Sequence, residues 1–288
     1  MDNKLKGIVF MCCSALAFAS MQALVALTAD TVPLFEQLFF RNLIATLVAF
    51  ISVYKNKLPL LGTKGNRKVL ILRSLNGYLG MITLFYASAN ANQGDVAIIN
   101  KMSPFIVTIL AFLFLKEKIT KYQVIGLLVA FGGAFFVANP QFNSNLFPIF
   151  VAILSAFFSG FAYTFLGLLK GREHPAVIIF FFSAFSTIFT APVMMLDFVL
   201  VPPKTFLLLL CIGLSAALGQ ICLTYAYSCS KASEVSIYNY SGIIFSMILG
   251  YIFLEQAVPS TSSIGAILVI ISALIVYFGN RYDEKLSK

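Results

Sequence analysis

LGMITLFYASANANQGDVAIINKMSPF (79–105) and LGQICLTYAYSCSKASEVSIYNYSGII (218–244) decide the fold. They belong to a gapless match of residues 70–137 on 209–276, at an offset of 139. Leucine and isoleucine coincide by chance in any two apolar helices. Gly80 with Gly219, Tyr86 with Tyr225, Asn100 with Asn239 and Gly126 with Gly265, all at one offset, carry more weight. An earlier set, Pro33 and Phe39-Phe40 against Pro175 and Phe181-Phe182, fits at 142. The chain therefore reads as two copies of one unit, 1–139 and 146–279, with a short tail at 280–288.

Each copy is built from runs long and apolar enough to cross a bilayer. Ten are predicted, at 6–27, 33–54, 69–89, 94–115, 121–139, 146–169, 175–198, 204–226, 233–254 and 261–279. Composition agrees. The 288 residues are 60% hydrophobic and 11% charged, with a mean hydropathy of +0.93. A soluble domain carries about 25% charged residues, so a soluble enzyme, a nucleic-acid binder and a secreted disulfide scaffold are excluded. The first segment, after Lys4 and Lys6, resembles a signal peptide but is required by the repeat, and is read as a retained helix.

The net charge of +9 reflects topology. With the N-terminus inside, 16 of the 20 Lys and Arg fall in inner loops or tails and only Lys204 in an outer one. By the positive-inside rule both termini face the cytoplasm. Five spans per copy is odd, so the second copy enters the membrane with opposite polarity. That is an inverted repeat, the architecture of many secondary transporters.

The helix ends FLFLKEKITKYQVIGLLVAFGGAFFVA (112–138) and YIFLEQAVPSTSSIGAILVIISALIVY (251–277), with the segments before them, resemble the drug/metabolite transporter superfamily, EamA type. In that family a Phe-Leu-x-Glu stretch closes the fourth helix and a glycine opens the fifth. Phe114, Leu115, Glu117 and Gly126 match this pattern. The second copy departs from it, with Gln256 at the position of Glu117 and Glu255 one residue earlier, which weakens a functional role for that glutamate. The resemblance implies a ten-helix carrier. Helices 1–4 and 6–9 would surround a central cavity, and helices 5 and 10 would lie at the periphery. Known relatives move amino acids, nucleotide sugars, phosphorylated sugars, vitamins, quaternary amines and S-adenosylmethionine.

An ionisable group inside a span is a functional candidate by default. Arg41 and Lys101 are predicted about 12 Å and 10 Å deep from the outer side. They are read as a cationic site for a carboxylate or phosphate, or as structural partners of Glu36. Glu36 is about 4–5 Å deep and about 140° around its helix from Arg41. It is a candidate proton carrier or ion-pair partner. Asn100, Tyr238, Asn239, Tyr240, Tyr86 and Tyr225 are candidate lining groups, with interhelical packing as the alternative. Asn76, Tyr78, Tyr163 and Gln220 are weaker candidates. Arg73, near the inner surface, is expected to snorkel to the headgroups. Lys231 and Glu234, three residues apart, are expected to pair in an inner gate.

These features predict a secondary active transporter of a small organic solute bearing an anionic or carboxylate group, working by alternating access. Uptake of a vitamin or a nucleoside-like compound such as S-adenosylmethionine is the alternative within transport. An intramembrane enzyme or receptor is the alternative class, disfavoured because the single histidine, His174, lies in a loop. No cofactor, metal or nucleic acid is expected. The lipid bilayer, a small-molecule substrate and a homodimer are the candidate partners, and the bacterial cytoplasmic membrane the location.

Overall fold

The computed structural model describes residues 3–140, 145–254 and 259–286. Glu255 and Gln256 lie outside them. Among the described residues there is no strand, and ten helices are long and apolar enough to span a membrane. The continuous spans are helix 1 (Asn3–Thr28), helix 2 (Leu34–Lys55), helix 3 (Arg67–Asn90), helix 5 (Lys121–Ala138), helix 6 (Leu146–Leu169), helix 7 (Pro175–Met194), helix 8 (Pro203–Cys229) and helix 10 (Ser260–Leu286).

Two spans read as continuous in the sequence are broken. Helix 4 runs Gln93–Asn100, turns at Lys101 and Met102, and resumes as Ser103–Leu115. Helix 9 is a short turn Ala232–Val235, a 3-10 stretch Ser236–Tyr240, and a helix Ser241–Leu254. Pro104 explains the first break. It has no N–H to donate, and its ring displaces the carbonyl one turn back, that of Asn100. The Phe105 N–H turns to the Met102 carbonyl at 3.0 Å, which frees the carbonyl of Lys101. The Tyr240 hydroxyl takes it at 2.6 Å. Lys101 and Tyr240 are 139 residues apart, so equivalent positions of the two copies bond to each other. A buried backbone carbonyl in a bilayer needs such a partner.

Turn chemistry ends the other spans. Thr120 and Gln123 form a reciprocal capping box at the start of helix 5. Lys116 and Asn139 adopt left-handed conformations at the ends of helices 4 and 5. His174 caps helix 7, its Nδ1 accepting from the Ala176 N–H at 3.2 Å.

The packing repeats itself. Helix 1 lies on helix 8 and helix 3 on helix 6. Helix 2 packs on helix 7, and helix 5 on helix 10. Exchanging the two five-helix copies maps this set of pairs onto itself, as a pseudo-twofold requires. The contacts agree in detail. Ser155 donates to the carbonyl of Gly80 at 2.9 Å, and Ser14 donates to the carbonyl of Gly219 at 2.8 Å. Small residues let these helices approach. A Cβ on Gly80 would lie 3.2 Å from the backbone nitrogen of Ser159, and one on Gly219 would lie 3.0 Å from the ring of Phe18. Helices 5 and 10 cross where a Cβ on Gly133 would stand 2.6 Å from the carbonyl oxygen of Gly265. The adjacent Gly132 meets nothing within 4 Å.

With an even number of spans both chain ends lie at one face, the terminal face. Two loops there are tied by Glu173, whose Oε2 accepts from the Thr63 N–H at 2.8 Å, the Thr63 hydroxyl at 2.9 Å and the Asn66 amide at 3.3 Å. Partial burial pushes the Glu173 carboxyl upward, but these bonds and one from the His174 N–H outweigh it and hold the pKa below the usual carboxylate value. A carboxylate with a lowered folded pKa contributes stability above its unfolded pKa and loses it as pH falls through the folded one. The melting temperature in detergent should therefore fall on acidification below the normal glutamate range, and Glu173→Gln should flatten that dependence. Equal acid slopes in the two proteins would remove Glu173 as the cause.

Candidate substrate site and terminal gate

Helix 3 carries a stripe at four-residue spacing, Arg73, Gly77 and Met81. Arg73 was expected to snorkel to the headgroups. It is instead buried to 2% exposure. Its guanidinium carbon stands 4.2 Å over the ring of Phe182 on helix 7, and its Nη1 occupies the space that a side chain at Gly77 would fill. The missing Cβ at Gly77 and the aromatic face of Phe182 provide an interior berth, so the arginine need not reach back to the surface. One turn further along the stripe, Nη1 of Arg41 from helix 2 meets the sulfur of Met81. The hydroxyl of Tyr163 on helix 6 lies near both guanidiniums. Tyr163 in turn stacks on Tyr227 of helix 8, with ring centroids 5.7 Å apart.

The result is a cationic pair backed by aromatic rings and contributed by helices 2, 3, 6, 7 and 8. Nε of Arg41, and Nε and Nη1 of Arg73, have no protein hydrogen-bond partner. Among the described residues no carboxylate forms an ion pair with either arginine. Buried cationic donors without an acceptor are costly, and an anionic group is the chemical complement.

The other candidates divide. Lys101 is half-buried at the helix 4 break, and no acid pairs with it among the described residues. Asn100 donates to the Ser155 hydroxyl at 3.3 Å, joining helix 4 to helix 6. Tyr240 is used on the Lys101 carbonyl. Tyr238 points outward to helix 10, its hydroxyl 3.5 Å from the Ala273 carbonyl, because the 3-10 stretch turns it off the face an α-helix would give it. Asn239 between them is half-buried. Tyr225 stacks on Phe10 at 5.5 Å. Tyr86 is exposed and packs edge-on against Phe147. It is five residues from Met81, about 140° around helix 3 from the arginine stripe.

Glu36 pairs with neither Arg41 nor Lys101. It is buried at the start of helix 2, where a carboxylate suits the helix dipole. Its Oε2 accepts from the Val199 N–H at 3.1 Å and anchors the connection between helices 7 and 8. The expected Lys231–Glu234 pair is also absent. Lys231 precedes the short helix with extended backbone and is exposed, so the helical spacing that would bring the two together does not exist there. Glu234 is buried and pairs with Lys4 at 3.6 Å, and it accepts from the Asn280 amide at 3.1 Å.

The stronger clamp at this face is Glu117, at the end of helix 4. Its carboxylate accepts from the Ala232 N–H at 2.9 Å, the Ser233 N–H at 3.0 Å and the Ser233 hydroxyl at 2.6 Å. Lys170 donates to the Ser230 carbonyl at 3.0 Å. The hairpin between helices 8 and 9 is thereby seated on helices 1, 4, 6 and 10, beside a polar cleft of about 220 Å³ lined by Lys4, Lys118 and Lys231 among others. The mirrored hairpin, between helices 3 and 4, packs on helices 5 and 6. The second part of helix 9 packs on helices 1 and 10. The Glu117 and Lys170 bonds close the terminal face.

Comparison with known proteins converges on one family. The model described as the EamA-like transporter family matches residues 5–139 and again 146–278. The chain is 31% identical over 279 residues to the pseudopaline exporter CntI of Pseudomonas aeruginosa, covering 95% of this chain and 96% of that protein. It is 28% identical to an uncharacterized transporter of Helicobacter pylori, with 94% of each chain covered. It is 25% identical to human solute carrier family 35 member G1, over 81% of this chain and 68% of that one. A solved crystal structure superimposes with a TM-score of 0.77 at 16% identity, over 98% of this chain and 97% of the other, which speaks for the fold. Two matches of the family model spanning nearly the whole sequence, on a ten-helix multi-pass membrane protein, make this chain a member of the EamA-like transporter family.

Proposed function

We propose that the protein is a secondary active exporter of a small organic anion across the cytoplasmic membrane, with its terminal face on the cytoplasmic side. The observation that carries the substrate class is the uncompensated guanidinium of Arg41 beside that of Arg73 in the interior of the bundle. The name of the Pseudomonas relative supports the outward direction. Lysines and arginines concentrated in the loops of the terminal face support the orientation. On this reading the conformation with Glu117 engaged is outward-facing, and release of the helix 8–9 hairpin admits solute from the cytoplasm.

Reconstituted flux tests the function. Proteoliposomes loaded with carboxylated metabolites should release a subset of them faster than protein-free vesicles. Arg41→Gln should raise the apparent Km about ten- to a hundredfold, the loss expected for a hydrogen bond to a charged group, while the melting temperature in detergent is retained. Efflux indistinguishable from empty vesicles across the panel would refute transport of this class. Wild-type Km in a folded Arg41→Gln protein would refute the anionic site.

A further inference from the structure

The stripe on helix 3 sets more than the sign of the charge. Nη1 of Arg73 lies at the level of Gly77, and Nη1 of Arg41 lies at the level of Met81. Four residues of α-helix separate these levels, about 6 Å along the axis. The space over Gly77 is taken by Nη1 of Arg73 and the ring of Phe182. A Cβ there would also press on the ring of Phe182, 2.7 Å away. The two cations are not redundant. Each keeps an N–H without a protein acceptor, and the Tyr163 hydroxyl lies within electrostatic reach of both. A single carboxylate answers one guanidinium in a bidentate grip and leaves the other buried and uncompensated. A solute with two carboxylates on a short carbon chain answers both.

We propose that Arg41 and Arg73 form a two-point site selecting a solute with two carboxylates spaced by about one helical turn. This rests on the reading of the protein as an anion transporter, and it adds a second contact residue and a spacing rule. Arg73 is the specificity determinant, since Arg41 alone would serve any monocarboxylate.

The test is binding by thermal shift of the purified full-length protein in detergent. The probes are succinate, glutarate and adipate, against acetate, propionate and butyrate. One dicarboxylate length should protect at concentrations roughly ten- to a hundredfold below any monocarboxylate, as one additional charge-assisted contact implies. Arg73→Gln should bring that dicarboxylate to the monocarboxylate level, and Arg73→Lys should restore part of the difference. If Arg73→Gln does not fold, Gly77→Ala supplies the same test. Its Cβ would meet Nη1 of Arg73 and displace the guanidinium, so the preference for one chain length should disappear. Equal protection by mono- and dicarboxylates in the wild-type protein, no protection by any dicarboxylate, or an unchanged preference in a folded variant overturns the two-point site. Flux measured in parallel separates the readings. Dicarboxylate binding without flux of any solute defeats the transporter reading alone. Flux of other solutes without dicarboxylate binding defeats the two-point site alone.

Discussion

Replacing Glu117 by alanine opens the terminal face. The side chain satisfies two backbone N–H groups and a hydroxyl of the helix 8–9 hairpin, and Ser233 is fully buried. A buried donor stripped of its acceptor costs about 1–3 kcal/mol, so losing the carboxylate shifts a balanced two-state equilibrium by more than tenfold. Ser236 is buried to 1% exposure beneath the hairpin. Placed as Ser236→Cys in a background lacking the native cysteines, it should react with a water-soluble maleimide at least ten times faster in Glu117→Ala than with Glu117 present. Glu117→Gln retains one acceptor oxygen and should fall between. Adding Ser233→Ala to Glu117→Ala should change the rate little, because the two act through one contact. By contrast, Lys231→Ala removes an exposed charge that does not reach Glu234 and should leave labelling at the wild-type rate. Unchanged labelling in Glu117→Ala would show that the hairpin is held by packing alone.

Gly133→Val should cause a large loss of stability. Its Cβ would stand 2.6 Å from a backbone carbonyl of helix 10 and 3.0 Å from Val269. Backbone cannot rotate aside as a side chain can, so helices 5 and 10 must separate. Separation breaks the bond from Ser272 to the Gly126 carbonyl, 2.7 Å long in the native packing. Overpacking of this kind costs about 1–3 kcal/mol, and more where backbone must move. The adjacent Gly132→Ala is the control. It meets nothing and gains about 0.8–1 kcal/mol of helix propensity. Melting in detergent should drop for the first variant and hold or rise for the second. Equal melting would mean that the helix 5–10 crossing does not contribute to stability.

The spans were legible because each bilayer crossing needs a long apolar run, and the repeat was legible because glycine, tyrosine and asparagine recur at one offset. Other features were hidden for definable reasons. A break in a transmembrane helix leaves its hydropathy intact, so 94–115 and 233–254 read as continuous although Pro104 was visible. Depth along the helix assigned Arg73 to the headgroups. The berth offered by Gly77 and Phe182 is a contact between helices 3 and 7 that no local pattern reports. The repeat drew attention to Tyr225, whereas the stacking partner of Tyr163 is Tyr227, two residues on and on another face. It also counted against Glu117, because its counterpart is Gln256. Yet a clamp that closes one face only has no need of a copy. Arg41 was singled out from its charge and depth, and the grouping of Arg73 with it was not legible in the sequence.

A bond joining a position to its own counterpart, as the Tyr240 hydroxyl joins the Lys101 carbonyl, sits on the pseudo-twofold. A tie away from that axis belongs to one side or the other and must be broken or remade if the halves trade packings. A tie on the axis is carried onto itself. Under the proposed alternating access it serves as a fulcrum: the copies tilt about it at constant separation, and the open carbonyl at the helix 4 break stays covered. The cost of interrupting two spans in the middle of a membrane is thus placed on the axis that the two copies share.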